Sequence, residues 1–235
     1  MNADEYFQVL DVSAYQGVIR WEVLAAAART SPDARVDAVW IKAAEGAALV
    51  DKYFRQHVAG ARGVGLPLSA YDFLAHGVDA ASQAKHFLDV WGPLRQPGDL
   101  PPMLDLERGA GGCPSASDAL TWLSIVEPVM GPAILYTGPG SAAQWRVGAT
   151  GEQLAAIATR ILWEAHYTGA ASPMACPPWP VDRWTFWQWK STGRVPGILG
   201  DVDVSRAKMI PGLGTPNYMA PEQAPAPVIF TGETA

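Results

Sequence analysis

Two acidic residues, Asp105 and Glu107, stand one residue apart at the end of the apolar run in PPMLDLERG. In a β-strand, residues two positions apart point to the same side, so both carboxyls are expected to share one pocket. Two carboxyls within a few ångströms do not both ionise readily, so one is expected to keep its proton near neutral pH. A protonated acid beside an ionised partner suits glycoside hydrolysis. The spacing alone is a weak motif, and it also fits carboxylates that cap the next helix or pair with Arg108.

Acidic residues also recur at the ends of other apolar runs that read as strands. They are Asp11 in LDVSAYQG, Glu45 in KAAEG, Asp72 in AYDF and Asp203 in GDVDVS. Each of them alone fits a structural role as well as a functional one. If the runs are strands of one barrel, however, their ends meet at one rim, where barrel enzymes place their chemistry. The pattern therefore favours an acidic cleft assembled from segments that are far apart in the chain.

Aromatic residues lie within or just beyond the same runs. They include Tyr71, Tyr136, Trp163 and Tyr167. Aromatic faces stack on the apolar faces of sugar rings, but they also fill protein cores. In WTFWQWK, alternation predicts that Trp187 and Trp189 face one way and Gln188 the other, and it leaves open which set lines the cleft.

The elements that must position these residues alternate between short apolar runs and amphipathic stretches. Four units pair a strand with a helix: FQVLDVS with WEVLAAAART, AVWIKAAEG with DKYFRQHVAGAR, LPLSAYDFL with DAASQAKHFLDVW, and PPMLDLE with SASDALTWLSIVEPVM. PAILYTG starts a fifth unit, and ILWEAHY, DRWTFWQWKST and GDVDVSR read as three more strands without convincing helices between them. This order predicts an α/β fold, a modified TIM-like barrel of five βα units followed by three strands with few helices.

Length and composition limit the classes of protein that fit. We assign residues 1–210 to one barrel domain and residues 211–235 to a Pro-rich tail, which is predicted to be a linker or docking segment. The net charge of −6 argues against nucleic acid and anionic membranes as partners. The sequence contains no apolar run long enough to span a membrane, and its first residues do not resemble a signal peptide. Cys113 and Cys176 read as ordinary thiols that could pair if the fold brings them close.

Eight segments, in order, resemble the glycoside hydrolase family 25 lysozymes, the Chalaropsis-type muramidases, which include phage endolysins and virion-associated lysozymes. The segments are DVSAYQGVIRW, IKAAEG with DKYF, GLPLSAYDF, QAKHF, LPPMLDLE, ILYTG, LWEAHY and WTFWQWKSTGRVPGILGDVDVS, and together they run from about Phe7 to Arg206. The resemblance implies the same barrel of five βα units and three further strands. It also implies cleavage of the β-1,4 bond between N-acetylmuramic acid and N-acetylglucosamine in bacterial peptidoglycan glycan strands.

Carried over by position, the resemblance implies that Glu107 is the general acid and that Asp105 holds its pKa and position. Asp11 and Asp203 match the other acidic positions of the cleft, where they could stabilise the transition state. Neither a cofactor nor a metal is expected. The side chains expected to contact sugar are Tyr71, Asp72, Tyr136, Trp163, Tyr167 and Gln188, with Glu45 as a secondary candidate.

Two positions depart from the family pattern. Tyr71-Asp72-Phe73 stands where the family usually has Tyr-His-Phe, and Ser205 stands where it usually has Asn. If Asp72 faces the mouth, it could raise the pKa of neighbouring carboxyls. If it faces outward, it pairs with a helix residue. Ser205 can still donate one hydrogen bond.

Two other classes of protein remain as alternatives. The first is a catalytically weak glycan-binding or particle-assembly module with the same barrel, whose tail docks it onto a larger assembly. The second is a metal-dependent hydrolase, for example of phosphodiesters, that uses the acidic rim as oxygen ligands. The expected site of action is the bacterial cell wall, reached after lysis, by phage delivery or by non-classical export.

Overall fold

The computed structural model describes residues 6–31 and 34–213. Their strands are β1 Phe7–Val12, β2 Ala38–Glu45, β3 Leu49–Val50, β4 Leu68–Phe73, β5 Met103–Asp105, β6 Ile134–Thr137, β7 Ile161–Ala165, β8 Trp184–Gly193 and β9 Val202–Ala207. Their α-helices are α1 Trp21–Thr30, α2 Phe54–Gly63, α3 Ala80–Trp91, α4 Ala116–Met130, α5 Pro139–Trp145 and α6 Gly151–Ala158.

Eight of the strands close into a barrel, which confirms the predicted fold. The sheet order is β1-β9-β8-β7-β6-β5-β4-β2-β3, and a further pairing of β1 with β2 closes the ring. The short β3 only extends β2 as a hairpin arm. All neighbouring barrel strands are parallel except β9, which runs antiparallel to β1 and β8. Because β9 is reversed, its first residues lie at the rim where the other strands end.

Strand alternation separates two hydrophobic cores. One fills the barrel interior and includes Val9, Trp40, Met103, Trp163 and Phe186. The other packs between the barrel and the helices, and it takes the opposite faces of the same strands. A side chain at a strand end therefore faces the barrel mouth only if it has the parity of the interior set.

Helices cover the first part of the barrel but not the last. Each of the first four strand-to-helix connections crosses to a parallel neighbour, and α4 is preceded by its N-cap Ser115, which forms a reciprocal capping box with Asp118. The described residues between β7 and β9 contain no helix. There, cations cover tryptophan rings: the Arg206 guanidinium lies 4.4 Å from the Trp189 ring centre, and Lys208 Nζ lies 3.7 Å from that of Trp184.

Three predictions about the whole chain have different outcomes. Cys113 and Cys176 are both free thiols. None of the helices in the described parts of the chain is long and apolar enough to cross a bilayer. Residues 214–235 lie outside the described residues, so the linker or docking role of the tail stays a prediction.

Candidate active site

Four carboxyl side chains from three parts of the chain face the barrel mouth. Asp11, near the end of β1, pairs across the strands with Asp203, near the start of β9. Side chains directly opposite each other on neighbouring strands are about 5 Å apart at Cβ. Asp105 ends β5 with the same parity as the interior Met103, and Glu107 follows two residues later. The predicted convergence of these four residues is therefore present in the structure.

Asp11 and Asp105 form the deep part of this group, with exposed fractions of only 8% and 6%. Burial raises the pKa of Asp11 well above its ordinary value, and the charges of Asp203 and Glu107 raise it further. Burial also raises the pKa of Asp105 well above its ordinary value, and the neighbouring Glu107 adds to that effect. Both groups therefore favour their protonated forms unless another group in the cleft stabilises the anion.

Glu107 and Asp203 are only half-buried and lie closer to solvent. Burial raises the pKa of Glu107, and the charge of Asp203 raises it further. Burial raises the pKa of Asp203 to about 6. Because the charge of Asp203 disfavours the anion of Glu107, Glu107 holds its proton more tightly while Asp203 is ionised. An acid that holds its proton beside an ionised neighbour is what general acid catalysis requires.

A cavity of about 400 Å³ opens beside Glu107. Its wall is formed by that carboxyl, the turn from β6 into α5, and the segment that follows β7. The lining residues include Glu107, Tyr136, Ser141, His166, Tyr167 and Met174. Glu107 is thus accessible to a ligand, whereas the deeper carboxyls lie behind it.

Lys42 is a cation in this cleft that the sequence analysis did not select. It lies near the end of β2 with the parity of the interior Trp40, a signal that was present in the sequence. Its Nζ lies 2.6 Å from Oε2 of Glu45. The charge of Lys42 lowers the pKa values of Asp105 and Glu107, so it opposes the effect of burial on both. Glu45 is therefore held by Lys42 at the rim rather than placed among the four carboxyls.

Three of the predicted sugar-contact residues form one hydrogen-bonded group beneath the rim. Tyr136 and Tyr167 both donate their phenol hydrogens to Oε1 of Gln188, at 2.9 Å and 2.6 Å. Tyr167 is 55% exposed, whereas Tyr136 and Tyr71 are 7% and 8% exposed at the floor of the mouth. The sequence left open whether Gln188 or the tryptophans of WTFWQWK line the cleft. In the structure Trp187 packs in the outer core and Gln188 faces inward.

The prediction that Trp163 contacts sugar is wrong. Its side chain is fully buried in the barrel interior, where its ring stacks on Phe186 with centres 4.8 Å apart. Its indole Nε1 donates to Oγ of Ser205 at 3.0 Å. Trp163 and Ser205 therefore belong to the layer that supports the cleft from below, and a saccharide does not reach either of them.

The prediction that Asp72 contacts sugar is also wrong. Asp72 follows the inward-facing Tyr71, so it points out of the barrel, where it is completely buried. Its Oδ2 accepts a hydrogen bond from Nε1 of Trp122 on α4 at 2.7 Å. Burial raises the pKa of Asp72 well above its ordinary value, so the protein environment favours the protonated form of this carboxyl. Asp72 therefore ties α4 to β4.

Replacing Asp72 by alanine is expected to affect stability and not catalysis. The substitution leaves the buried Trp122 indole N–H without its acceptor, which costs about 1–3 kcal/mol of unfolding free energy. Because the side chain lies outside the barrel, kcat/KM on a saccharide substrate should stay within about threefold of wild type. Urea unfolding and initial rates measured on the same preparation check both parts. A loss of rate with unchanged stability would contradict this placement.

The described residues, 6–31 and 34–213, contain no group of three His, Cys, Asp or Glu side chains arranged to hold a metal ion.

The chain is similar to known proteins over most of its length. A family model described as glycosyl hydrolases family 25 matches residues 10–198. Lysozyme M1 of Streptomyces globisporus is 30% identical over 207 residues, which cover 83% of this chain and 66% of the relative. This chain thus spans 66% of the length of the curated relatives it matches.

Solved structures resemble the barrel itself. A bacterial lysozyme from Streptomyces coelicolor superposes with a TM-score of 0.70 at 28% identity, covering 86% of this chain and 91% of that one. A family GH25 lysozyme from Aspergillus fumigatus gives a TM-score of 0.67 at 25% identity, covering 85% and 93%. The span of the family model includes Asp11, Asp105 and Glu107, whereas Asp203 on β9 lies beyond it.

Proposed function

The chain belongs to family 25 of the glycosyl hydrolases, and from this membership and its acidic mouth we propose that it is a peptidoglycan hydrolase. The proposed reaction is cleavage of the β-1,4 bond between N-acetylmuramic acid and N-acetylglucosamine. The names of its relatives, which describe lysozymes, support this substrate class. Its site of action is then the bacterial cell wall, and the route to the wall stays a prediction from the sequence.

One observation carries the proposal: a half-buried acid, Glu107, lines an accessible cavity while other carboxyls lie against it. In the proposed mechanism, Glu107 protonates the glycosidic oxygen as the bond to the sugar breaks. Positive charge then develops on the sugar ring, in an oxocarbenium-like transition state. Asp203 and Asp11 stabilise that charge, and Asp105 holds the pKa and position of Glu107. A water molecule then adds to the anomeric carbon and gives up a proton, which restores the protonated Glu107 for the next turnover.

The bond that breaks can be identified from the products. Purified peptidoglycan is digested, the new ends are reduced with borohydride, and the fragments are analysed by mass spectrometry. The proposal expects fragments that end in reduced muramic acid. Fragments that end in reduced glucosamine, or fragments cut within the peptides, would refute it.

The pH dependence of the reaction follows from the same groups. Because burial and Asp203 raise the pKa of Glu107, the acid keeps its proton to a higher pH than an ordinary glutamate does and loses it as the pH rises further. Asp203, whose pKa is raised to about 6, loses its stabilising charge as the pH falls. We therefore expect a bell-shaped profile of kcat/KM with its maximum on the acidic side of neutral. A profile that rises continuously to pH 9 would contradict these roles.

A further inference from the structure

Gln188 lies at the centre of the hydrogen bonds that join the two sides of the mouth. It sits on β8 with only 2% of its surface exposed. Its Nε2 donates to Oδ2 of Asp11 at 2.9 Å, and its Oε1 accepts from Tyr136 and Tyr167. A carbonyl oxygen has two lone pairs, so two phenols use the acceptor capacity of this amide fully. A sugar hydroxyl thus has no free oxygen on Gln188 to bind.

We propose that Gln188 is a positioning residue that orients Asp11, lowers the free-energy cost of ionising it and fixes Tyr136 and Tyr167, and that it does not itself bind the sugar. The expected effect of Gln188 on the rate of peptidoglycan cleavage rests on the proposed function. It replaces the prediction from the sequence that Gln188 contacts the substrate directly.

The orientation of the amide carries this argument. With Oε1 toward the phenols and Nε2 toward Asp11, every contact joins a donor to an acceptor. If the amide were reversed, its oxygen would face the Asp11 carboxylate, and that contact would be favourable only with Asp11 protonated. This orientation therefore favours the anion of Asp11, whereas the reversed one would favour the acid.

The groups around Asp11 explain why such support is needed. Asp203 faces it from β9, Glu107 and Asp105 from the end of β5, and Tyr71 from β4. Burial and the neighbouring carboxylates all disfavour its charge, and the hydrogen bond from Gln188 is the side-chain contact that lowers its pKa. Lys42, the cation of this cleft, acts on Asp105 and Glu107. Gln188 thus supplies Asp11 with the stabilisation that Lys42 supplies to those two carboxyls.

Two substitutions separate the contacts of Gln188. Gln188→Leu removes both the donor to Asp11 and the acceptor for the phenols. Gln188→Glu keeps an acceptor for the phenols, but its carboxyl can donate to Asp11 only when it is protonated. The matched control is Gln56→Leu on α2, because Gln56 is exposed and takes no part in the hydrogen bonds of Gln188.

The first measurement does not need turnover. Carbon-13 NMR titration of labelled aspartate carboxyls, with Asp11 assigned from Asp11→Asn, gives its midpoint in each variant. Gln188→Leu is expected to raise the Asp11 midpoint by about one pH unit or more, since a hydrogen bond to a charged group is lost. Gln56→Leu should leave it unchanged. An unchanged midpoint in Gln188→Leu would overturn the proposal, and a lower one would mean that the amide is reversed.

The second measurement is the pH profile of peptidoglycan cleavage. Gln188→Leu is expected to lower kcat about tenfold or more at every pH, because Asp11 and the tyrosines lose their positions. Gln188→Glu should approach wild-type kcat only at low pH, where its carboxyl is protonated. A rise in KM alone in both variants, with kcat unchanged, would instead identify Gln188 as a sugar contact and overturn the proposal. If the wild type does not cleave peptidoglycan, the proposed function fails while the titration still decides the role of Gln188.

Discussion

Glu107→Gln is expected to lower kcat on peptidoglycan by about 10²–10⁴-fold while leaving substrate binding largely intact. The amide keeps the shape of the side chain and its place in the cavity wall, but it cannot give a proton to the leaving oxygen. Release of soluble muropeptides over time measures the rate, and co-sedimentation with insoluble peptidoglycan measures binding. The loss should therefore fall on turnover and not on affinity.

The matched control for this variant is Glu152→Gln, since Glu152 is an exposed carboxyl in the first turn of α6. It should behave as wild type in both assays. Equal rates at the background level for wild type and Glu107→Gln would support the alternative of a glycan-binding module that has lost turnover. Equal rates well above background would remove Glu107 from the mechanism.

Asp203→Asn is expected to change activity and stability in opposite directions. The substitution removes a negative charge that faces the developing cation, so kcat should fall by about 10²-fold or more. It also removes a carboxylate that the fold holds at a cost, because the pKa of Asp203 is raised from 3.8 to about 6 by burial. The variant should thus be more stable than wild type wherever Asp203 is ionised.

The sign of the stability change depends on pH in a defined way. A raised pKa means that the folded protein binds the proton more tightly than the unfolded chain does, so wild-type stability falls as the pH rises from about 4 to about 6. At pH 7, Asp203→Asn should raise Tm by roughly 3–8 °C. Below about pH 4 the advantage should vanish, since the carboxyl is protonated in both states. Calorimetry at pH 4 and pH 7 measures both values.

The control here is Asp89→Asn on α3, which replaces an exposed carboxyl. Its Tm should differ little from wild type at either pH. A lower Tm for Asp203→Asn at pH 7 would show that the carboxylate stabilises the fold, and this would contradict its raised pKa.

The sequence predicted the barrel because its signals repeat with every strand. Each apolar run is followed by an amphipathic helix through the fifth unit, and the pattern weakens where β7, β8 and β9 follow one another without helices. The acidic strand ends were found for the same reason, since parity alone places Asp105 with Met103 and closure of the barrel places Asp11 opposite Asp203.

Where the site predictions went wrong, the physical reason differs between residues. Tyr71 and Asp72 are adjacent, and alternation forbids both from facing the mouth, so the sequence already contained the signal against Asp72. Trp163 has the parity of the inward-facing residues but lies too deep in the barrel. Its depth depends on how the tilted strands are staggered, and a local sequence pattern does not show that stagger. The hydrogen bonds of Gln188 could not be predicted from the sequence, because its three partners come from β1, β6 and the segment after β7.

Carbon-13 NMR titration of labelled glutamate carboxyls, with Glu107→Gln for assignment, directly measures the proton affinity of Glu107, the group that must protonate the glycosidic oxygen. We predict a midpoint above the ordinary value of 4.5 in the wild type, because burial and Asp203 both disfavour the anion. In Asp203→Asn the midpoint should fall back toward 4.5. A Glu107 that titrates at or below 4.5 in both proteins would contradict the account, because the cleft would then hold no acid able to protonate a glycosidic oxygen.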